Sequence, residues 1–281
     1  MSPMNNRLLV PRSTTRGLLD LVPGAAAAYS LRSLSNSYAD PVVTVRRSSD
    51  DAEEDFTAAE VSDGTLAAFC GAGDGFVKQW WDQSGNARHA IQTTTTYQPK
   101  IVSSGVVITE EGKPAIEFDG TNDWLASSYL PAFGAASSAR FGLFAVATTS
   151  DLTANRRLVS SQAAGFIFHV RVTSSSQWQA ALTDSNGVAD SAYYAATTQQ
   201  ALVATQYDGV ANNLYLDAVA RASTTANYTG SFNAGAPFLI GGYGTAGVDQ
   251  WQGTMQEVIL YPSDFSSQRE LIEGNIAFGW S

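Results

Sequence analysis

Three carboxyl groups, Glu117, Asp119 and Asp123, fall within one phrase, AIEFDGTNDWL. Paired carboxyls are what acid–base cleavage of a glycosidic bond requires. Asp-Gly and Asn-Asp at this spacing suit a turn equally well, and the setting reads as turn chemistry. Tyr243 and Trp251 bracket a glycine-rich loop that also carries Asp249 and Gln250. Aromatic faces with a few polar groups between them make a ligand site, so Tyr243, Trp251, Asp249 and Gln250 are the candidate ligand contacts. Core packing is the competing role for each ring.

Other chemistry lacks its parts. His89 and His169 are the two histidines, and they lack metal-ligand spacing. His89 reads as a packed loop residue. Asp82, Asp119, Asp208 and Asp249 are loop oxygens of the kind calcium takes, with no fixed spacing among them. Residues 71–75 form a glycine loop without a lysine or a following helix, so it is no phosphate cradle. No Gly-x-Ser-x-Gly elbow appears. No cofactor and no metal site is read from the chain, and no catalytic residue is assigned. Cys70 is the single cysteine, which rules out an internal disulfide.

Composition narrows the partners. Net charge is −10 with a pI near 4.6, which disfavours a phosphate backbone and hence nucleic acid. Arg46-Arg47 and Arg156-Arg157 read as solvated strand ends. No apolar run reaches the length of a membrane span. Residues 1–17 lack the apolar core of a secretory leader, so synthesis and assembly in a cytoplasm are expected. Charged residues make up only 15% of the chain, so Ser, Thr, Asn, Gln and Gly must cover the surface. Such a surface suits packing in an assembly or contact with sugar.

The elements that would position these residues are strands. Residues 202–207 and 214–217 alternate about Asp208-Gly209, a hairpin signal. Residues 237–240 and 255–261 follow as strands. Ser267 and Glu270 then have capping-box spacing before a short C-terminal helix. Upstream, 25–32, 42–47 and 76–81 read as strands, 48–56 as an acidic loop, and 65–70 as a helix capped by Asp63. Residues 141–148 are almost wholly apolar, as a central strand should be. Short strands continue at 158–161, 166–172, 178–182 and 188–194. Together they predict an all-β sandwich. Residues 1–23 read as an N-terminal arm and 24–281 as one domain.

Two resemblances follow from these phrases. Tyr207-Asp208-Gly209, Leu214-Tyr215-Leu216, Ile240-Gly241-Gly242 and the stretch 253–261 resemble the laminin-G-like, concanavalin A-like jelly roll. That resemblance implies a jelly-roll β-sandwich and places Tyr243 and Trp251 at the edge where jelly-roll lectins bind sugar. Residues 28–98 resemble the N-terminal part of the family 54 α-L-arabinofuranosidase catalytic domain, and still more a group of phage and prophage virion proteins. The matching residues are Tyr29-Ser30-Leu31-Arg32, residues 45–50, and Trp81-Asp82-Gln83-Ser84-Gly85 with His89.

In the arabinofuranosidases the resemblance implies a general-acid Asp directly after the Gly-Gly, where this chain has Tyr243. It implies a nucleophilic Glu in a central strand, and the strands at 141–148 and 166–172 carry no carboxylate. A tyrosine, with a pKa near 10, is a poor proton donor at neutrality. The expectation is therefore a non-enzymatic structural or adhesive component of a bacteriophage particle: a tail, fibre or head-decoration protein. It would be a homo-oligomer, attached to other virion proteins through the N-terminal arm, with host-surface glycan as a further partner. The alternative is a carbohydrate-binding module or residual glycoside hydrolase.

Overall fold

The computed structural model describes residues 16–128, 132–163, 166–233, 237–244 and 247–280. Its centre is the strand Phe141–Thr149, where every residue except Thr148 is buried. Burial on both faces accounts for its unbroken apolar run. On one side it pairs antiparallel with Ala201–Tyr207, Phe141 opposite Tyr207. On the other it pairs with Gln252–Tyr261 across a bulge at Val146/Ala147. The far edge of Gln252–Tyr261 takes two partners: Ala27–Ser30, with Ala27 opposite Leu260, and Ile116–Asp119, with Ile116 opposite Met255.

This wall continues through Ala201–Tyr207 to Ala211–Leu216 and Val219–Thr225. The second wall runs Ala189–Ala195, Gln177–Thr183, Phe166–Thr173, Arg156–Ala163, Phe238–Ile240 and Leu125–Ser127. Ala90–Ile91, Gly75–Trp80 and Lys100–Ser103 hydrogen-bond it back to Ile116–Asp119. One sheet thus runs almost round the molecule and folds into the concanavalin-like jelly-roll sandwich that the strand pattern predicts. The Trp178 and Trp251 rings stack in its core, 5.8 Å apart.

Several elements differ from the sequence expectation. The acidic stretch is not all loop, because Glu53–Phe56 forms a strand on Val43–Arg47. Its Glu53, Glu54 and Asp55 are exposed, and charges of this kind are tolerated on an edge strand, where they deter further pairing. The strand Val219–Thr225 carries no glycine signal because Asp217 and Ala218 turn the chain at positive φ, 52° and 64°. The C-terminal helix runs Arg269–Trp280. Before it, Asp264 rather than Ser267 accepts the turn's hydrogen bonds, from Ser266 N (2.9 Å) and Oγ (2.6 Å). Trp280 Nε1 anchors that helix by donating to the fully buried Glu257, which also receives Ser30 Oγ and Arg32 Nε.

Residues 1–15 of the expected arm lie outside the described residues. Residues 17–22 are docked on the sandwich: Leu18–Leu21 is a helical turn, Leu18 and Val22 are buried, and Tyr261 Oη donates to Val22 O at 2.9 Å.

Candidate functional site

The strand Ile116–Asp119 alternates, with Ile116 and Phe118 buried and Glu117 and Asp119 exposed. Period-two geometry puts both carboxyls on one face. The strand ends at Gly120, whose φ is +77° and whose place against Gln252 leaves 2.7 Å for a Cβ. Only glycine fits there without strain. Asp119 Oδ1 accepts from Thr121 N (2.7 Å) and Asn122 N (3.2 Å), and this Asx turn returns the chain so that Asp123 Oδ2 accepts from Asp119 N at 3.0 Å. Turn chemistry therefore describes Asp119 and also delivers Asp123 into a cleft.

That cleft has a volume of about 540 Å³ and holds Glu117, Asp119 and Asp123 together with Arg46, Lys100 and Phe76. Lys100 stands opposite Glu117 in the ladder and pairs with Asp74 at 2.9 Å. Arg46 is buried rather than a solvated strand end. Its Nε donates to Gln98 Oε1 (2.8 Å), its Nη1 to Asp51 Oδ1 (2.6 Å), and its guanidinium lies 4.9 Å from the centre of the Phe76 ring. Burial pushes the Asp123 carboxyl up to about 7, with the neighbouring Asp119 carboxyl adding to the shift. Near neutrality Asp123 thus holds a proton part of the time beside two exposed carboxyls.

The sequence-predicted ligand residues lie elsewhere and separate into two groups. Trp251 is fully buried, stacked on Trp178, and Gln250 is buried beneath Gly242. Neither can offer a face to a ligand, because Trp251 N donates to Gly241 O (2.8 Å) and draws the loop against the neighbouring strand. This corrects the reading of Trp251 and Gln250 as contacts. Tyr243 and Asp249 remain partly accessible and meet at Arg157. The Arg157 guanidinium lies 4.4 Å from the centre of the Tyr243 ring, and its Nε donates to Asp249 Oδ2 at 3.0 Å. Arg171, opposite Arg157 in the ladder, reaches the same carboxylate at 3.5 Å.

A cross-strand row continues from Arg171 to Gln179 and Tyr193. His169 sits beside it, with Nδ1 3.3 Å from Arg157 Nη1 and Nε2 3.4 Å from Gln179 Oε1. A guanidinium can only donate, so Nδ1 is the acceptor and the ring proton is on Nε2. Burial, with Arg157 and Arg171 adding, pushes the imidazole down to about 3. Sequence reasoning missed Arg157, Arg171, His169 and Gln179. The one available signal was period two, which puts 169 and 171 on one face of their strand.

His89 is packed on Trp81 and accepts from Asp82 N (3.1 Å). Asp82 and Asp208 are committed to backbone N–H groups. Among the described residues no group of three or more His, Cys, Asp or Glu is arranged to hold a metal ion. No helix among them is long and apolar enough to cross a membrane.

Comparison with known proteins supplies a context for both patches. A profile of the concanavalin A-like lectin/glucanases superfamily matches residues 119–269, more than half of the chain. The catalytic region of α-L-arabinofuranosidase B matches residues 20–113. A family 54 α-L-arabinofuranosidase soaked with a cyclic sulfate inhibitor superposes with a TM-score of 0.63 at 17% identity, over 90% of this chain and 62% of its own. An arabinofuranosidase complexed with arabinofuranosyl-α-1,2-xylobiose superposes at 0.60 and 16% identity, with the same coverage. The chain therefore spans about 62% of the length of these enzymes, and identity this low establishes likeness of fold. No match was found among the curated proteins. The expectation of a non-enzyme is corrected by these findings: it rested on two empty motif positions, whereas a glycosidase catalytic region matches 20–113 and carboxyls gather in a cleft at other positions.

Proposed function

The chain belongs to the concanavalin A-like lectin/glucanases superfamily, and from that premise we propose that it cleaves a glycosidic bond in the acidic cleft. The supporting observation is the pairing, in one cleft, of a buried Asp123 carboxyl with the exposed Glu117 carboxylate. Asp123 gives its proton to the departing glycosidic oxygen. Its Oδ2 is held by Asp119 N, which leaves Oδ1 to carry the proton. Glu117 acts on the anomeric carbon, directly or through water, and the measured stereochemistry distinguishes the two. Lys100 and Arg46 supply donors for sugar hydroxyls, and Phe76 an apolar floor. Likeness to arabinofuranosidases makes an α-L-arabinofuranoside the first substrate to try.

Hydrolysis of 4-nitrophenyl α-L-arabinofuranoside and a panel of other nitrophenyl glycosides tests this. Asp123→Asn and Glu117→Gln should each lower turnover by roughly 10²-fold or more, the usual worth of a positioned acid or base. Turnover no faster than in buffer for every glycoside, or unaffected by both substitutions, would refute it.

A setting for that activity comes from the sequence. We infer, from the likeness of residues 28–98 to phage and prophage virion proteins and from the low charge content, that the chain is carried on a phage particle as an oligomer. There it would meet host-surface glycan. Mass spectrometry of purified particles should find several copies each, and absence from them would remove the setting without touching the chemistry.

A further inference from the structure

The Arg157–Arg171 shelf has a charge that nothing in the cleft explains. Two guanidiniums share one carboxylate, Asp249, and the imidazole between them is neutral, so the shelf carries excess positive charge. Arg157 commits Nε to Asp249 and one Nη1 hydrogen to His169. Arg171 commits Nε to Gln179. Arg171 Nη1 lies 3.5 Å from the same carboxylate, and the Nη2 groups of both arginines have no hydrogen-bond partner among the described residues, with the side chains largely withdrawn from water at 11% and 20% exposure. Partly desolvated guanidinium groups that keep Nη donors open to the surface are well suited to bind a planar oxyanion.

The groups around them are fixed in advance. Gln179 Oε1 receives Arg171 Nε, while its Nε2 donates to Ser191 Oγ (2.9 Å) and Tyr193 Oη (2.7 Å). His169 and Tyr243 hold Arg157 from two sides. Little side-chain freedom is left to lose on binding. Tyr193, at the end of the row, is 45% exposed and offers a ring face across Gln179 from Arg171.

We propose that this shelf binds an acidic sugar, its carboxylate on Arg157 and Arg171 and its ring against Tyr193. The guanidinium fork matches a carboxylate with two parallel hydrogen bonds, and an aromatic face suits the C–H side of a pyranose. The chain's overall charge of −10 does not oppose this at contact range, because charges more than about 8 Å away are screened at physiological salt. The proposal is independent of hydrolysis in the cleft.

Calorimetric titration of the full chain with glucuronate, glucose and acetate tests it. Glucuronate should bind at least about tenfold more tightly than either glucose, which lacks the carboxylate, or acetate, which lacks the ring. Arg171→Gln should weaken glucuronate by about tenfold or more, with circular dichroism confirming the fold. Asp249→Asn removes the internal competitor and should tighten glucuronate severalfold. Asn is well tolerated at the positive φ of 52° found there. A purely structural role for Asp249 predicts the opposite sign. Glucuronate no tighter than glucose would overturn the proposal, and so would acetate matching glucuronate, or Asp249→Asn weakening it.

Discussion

The acidic cleft and the arginine shelf are built from the same materials and end with opposite capacities. Each sets strand positions of one sheet beside a loop carboxyl, Asp123 in one and Asp249 in the other, and each surrounds a buried titratable group with charged neighbours. Burial favours the neutral form of both groups. In the cleft the neutral form of Asp123 owns a proton it can release near pH 7. In the shelf the neutral form of His169 has lost its proton and takes another only near pH 3, so it serves as a hydrogen-bond acceptor that aims Arg157. One region is equipped for proton transfer and the other for recognition. The type of the buried residue decides which: a neutral carboxyl holds a proton to give, and a neutral imidazole offers a lone pair.

Three measurements would break or sharpen this contrast. The largest effect is expected from Trp251→Ala, on the loop that carries Asp249. Removing a fully buried ring stacked on Trp178 should cost about 3–5 kcal/mol in urea unfolding. A loss below about 1 kcal/mol would mean the loop is not held from within.

A smaller effect concerns pH. The folded state keeps the Asp123 proton from its ordinary 3.8 up to about 7, so stability should fall as pH rises across that window. Glu273, which burial pushes up to about 7, acts in the same direction from the C-terminal helix. His169 acts the other way: its folded value of about 3 lies below the ordinary 6.5, so stability is lost as pH falls below 6.5. Asp123→Asn should flatten the first slope and His169→Gln the second, in chemical denaturation at pH 4 to 8. Slopes unchanged by both variants would dissolve the contrast.

The smallest effect is expected from Tyr243→Ala. This ring is partly exposed and cushions Arg157 by a cation–π contact, an interaction worth about 0.5–2 kcal/mol. Unfolding should shift by no more than that. A larger loss would make Tyr243 a core residue like Trp251.

Much of the fold was legible because strands announce themselves by period and punctuation. The Asp208-Gly209 hairpin, the apolar run at 141–148 and the strand at 237–240 that ends in Gly241-Gly242 each carry a local signal. The edge strand Glu53–Phe56 carried none, since its stability comes from Val43–Arg47 beside it. The sites were legible in type and not in place. Asp119 and Asp123 could be read as a turn, correctly, but their shared cleft depends on Lys100 and Arg46 arriving from other strands. Arg-Arg at a strand end looks solvated in sequence; burial of Arg46 and Arg157 is settled by partners 52 and 92 residues away. For Trp251, in a loop, no alternation could say which way the ring turned.

The pairing of Ala27–Ser30 with Gln252–Tyr261 sets a timetable for folding. Ala27 meets Leu260, so this strand's principal partner is made 233 residues after it (260 − 27). Ribosomes add about 5–20 residues per second, which leaves this strand waiting on the order of ten seconds to a minute. The central strand Phe141–Thr149 waits too, since one of its edges is also reserved for Gln252–Tyr261. During that interval an apolar strand edge is open to other chains. Contacts this distant in sequence form slowly, and the yield of soluble protein should depend on how fast, and how dilute, the chain is made.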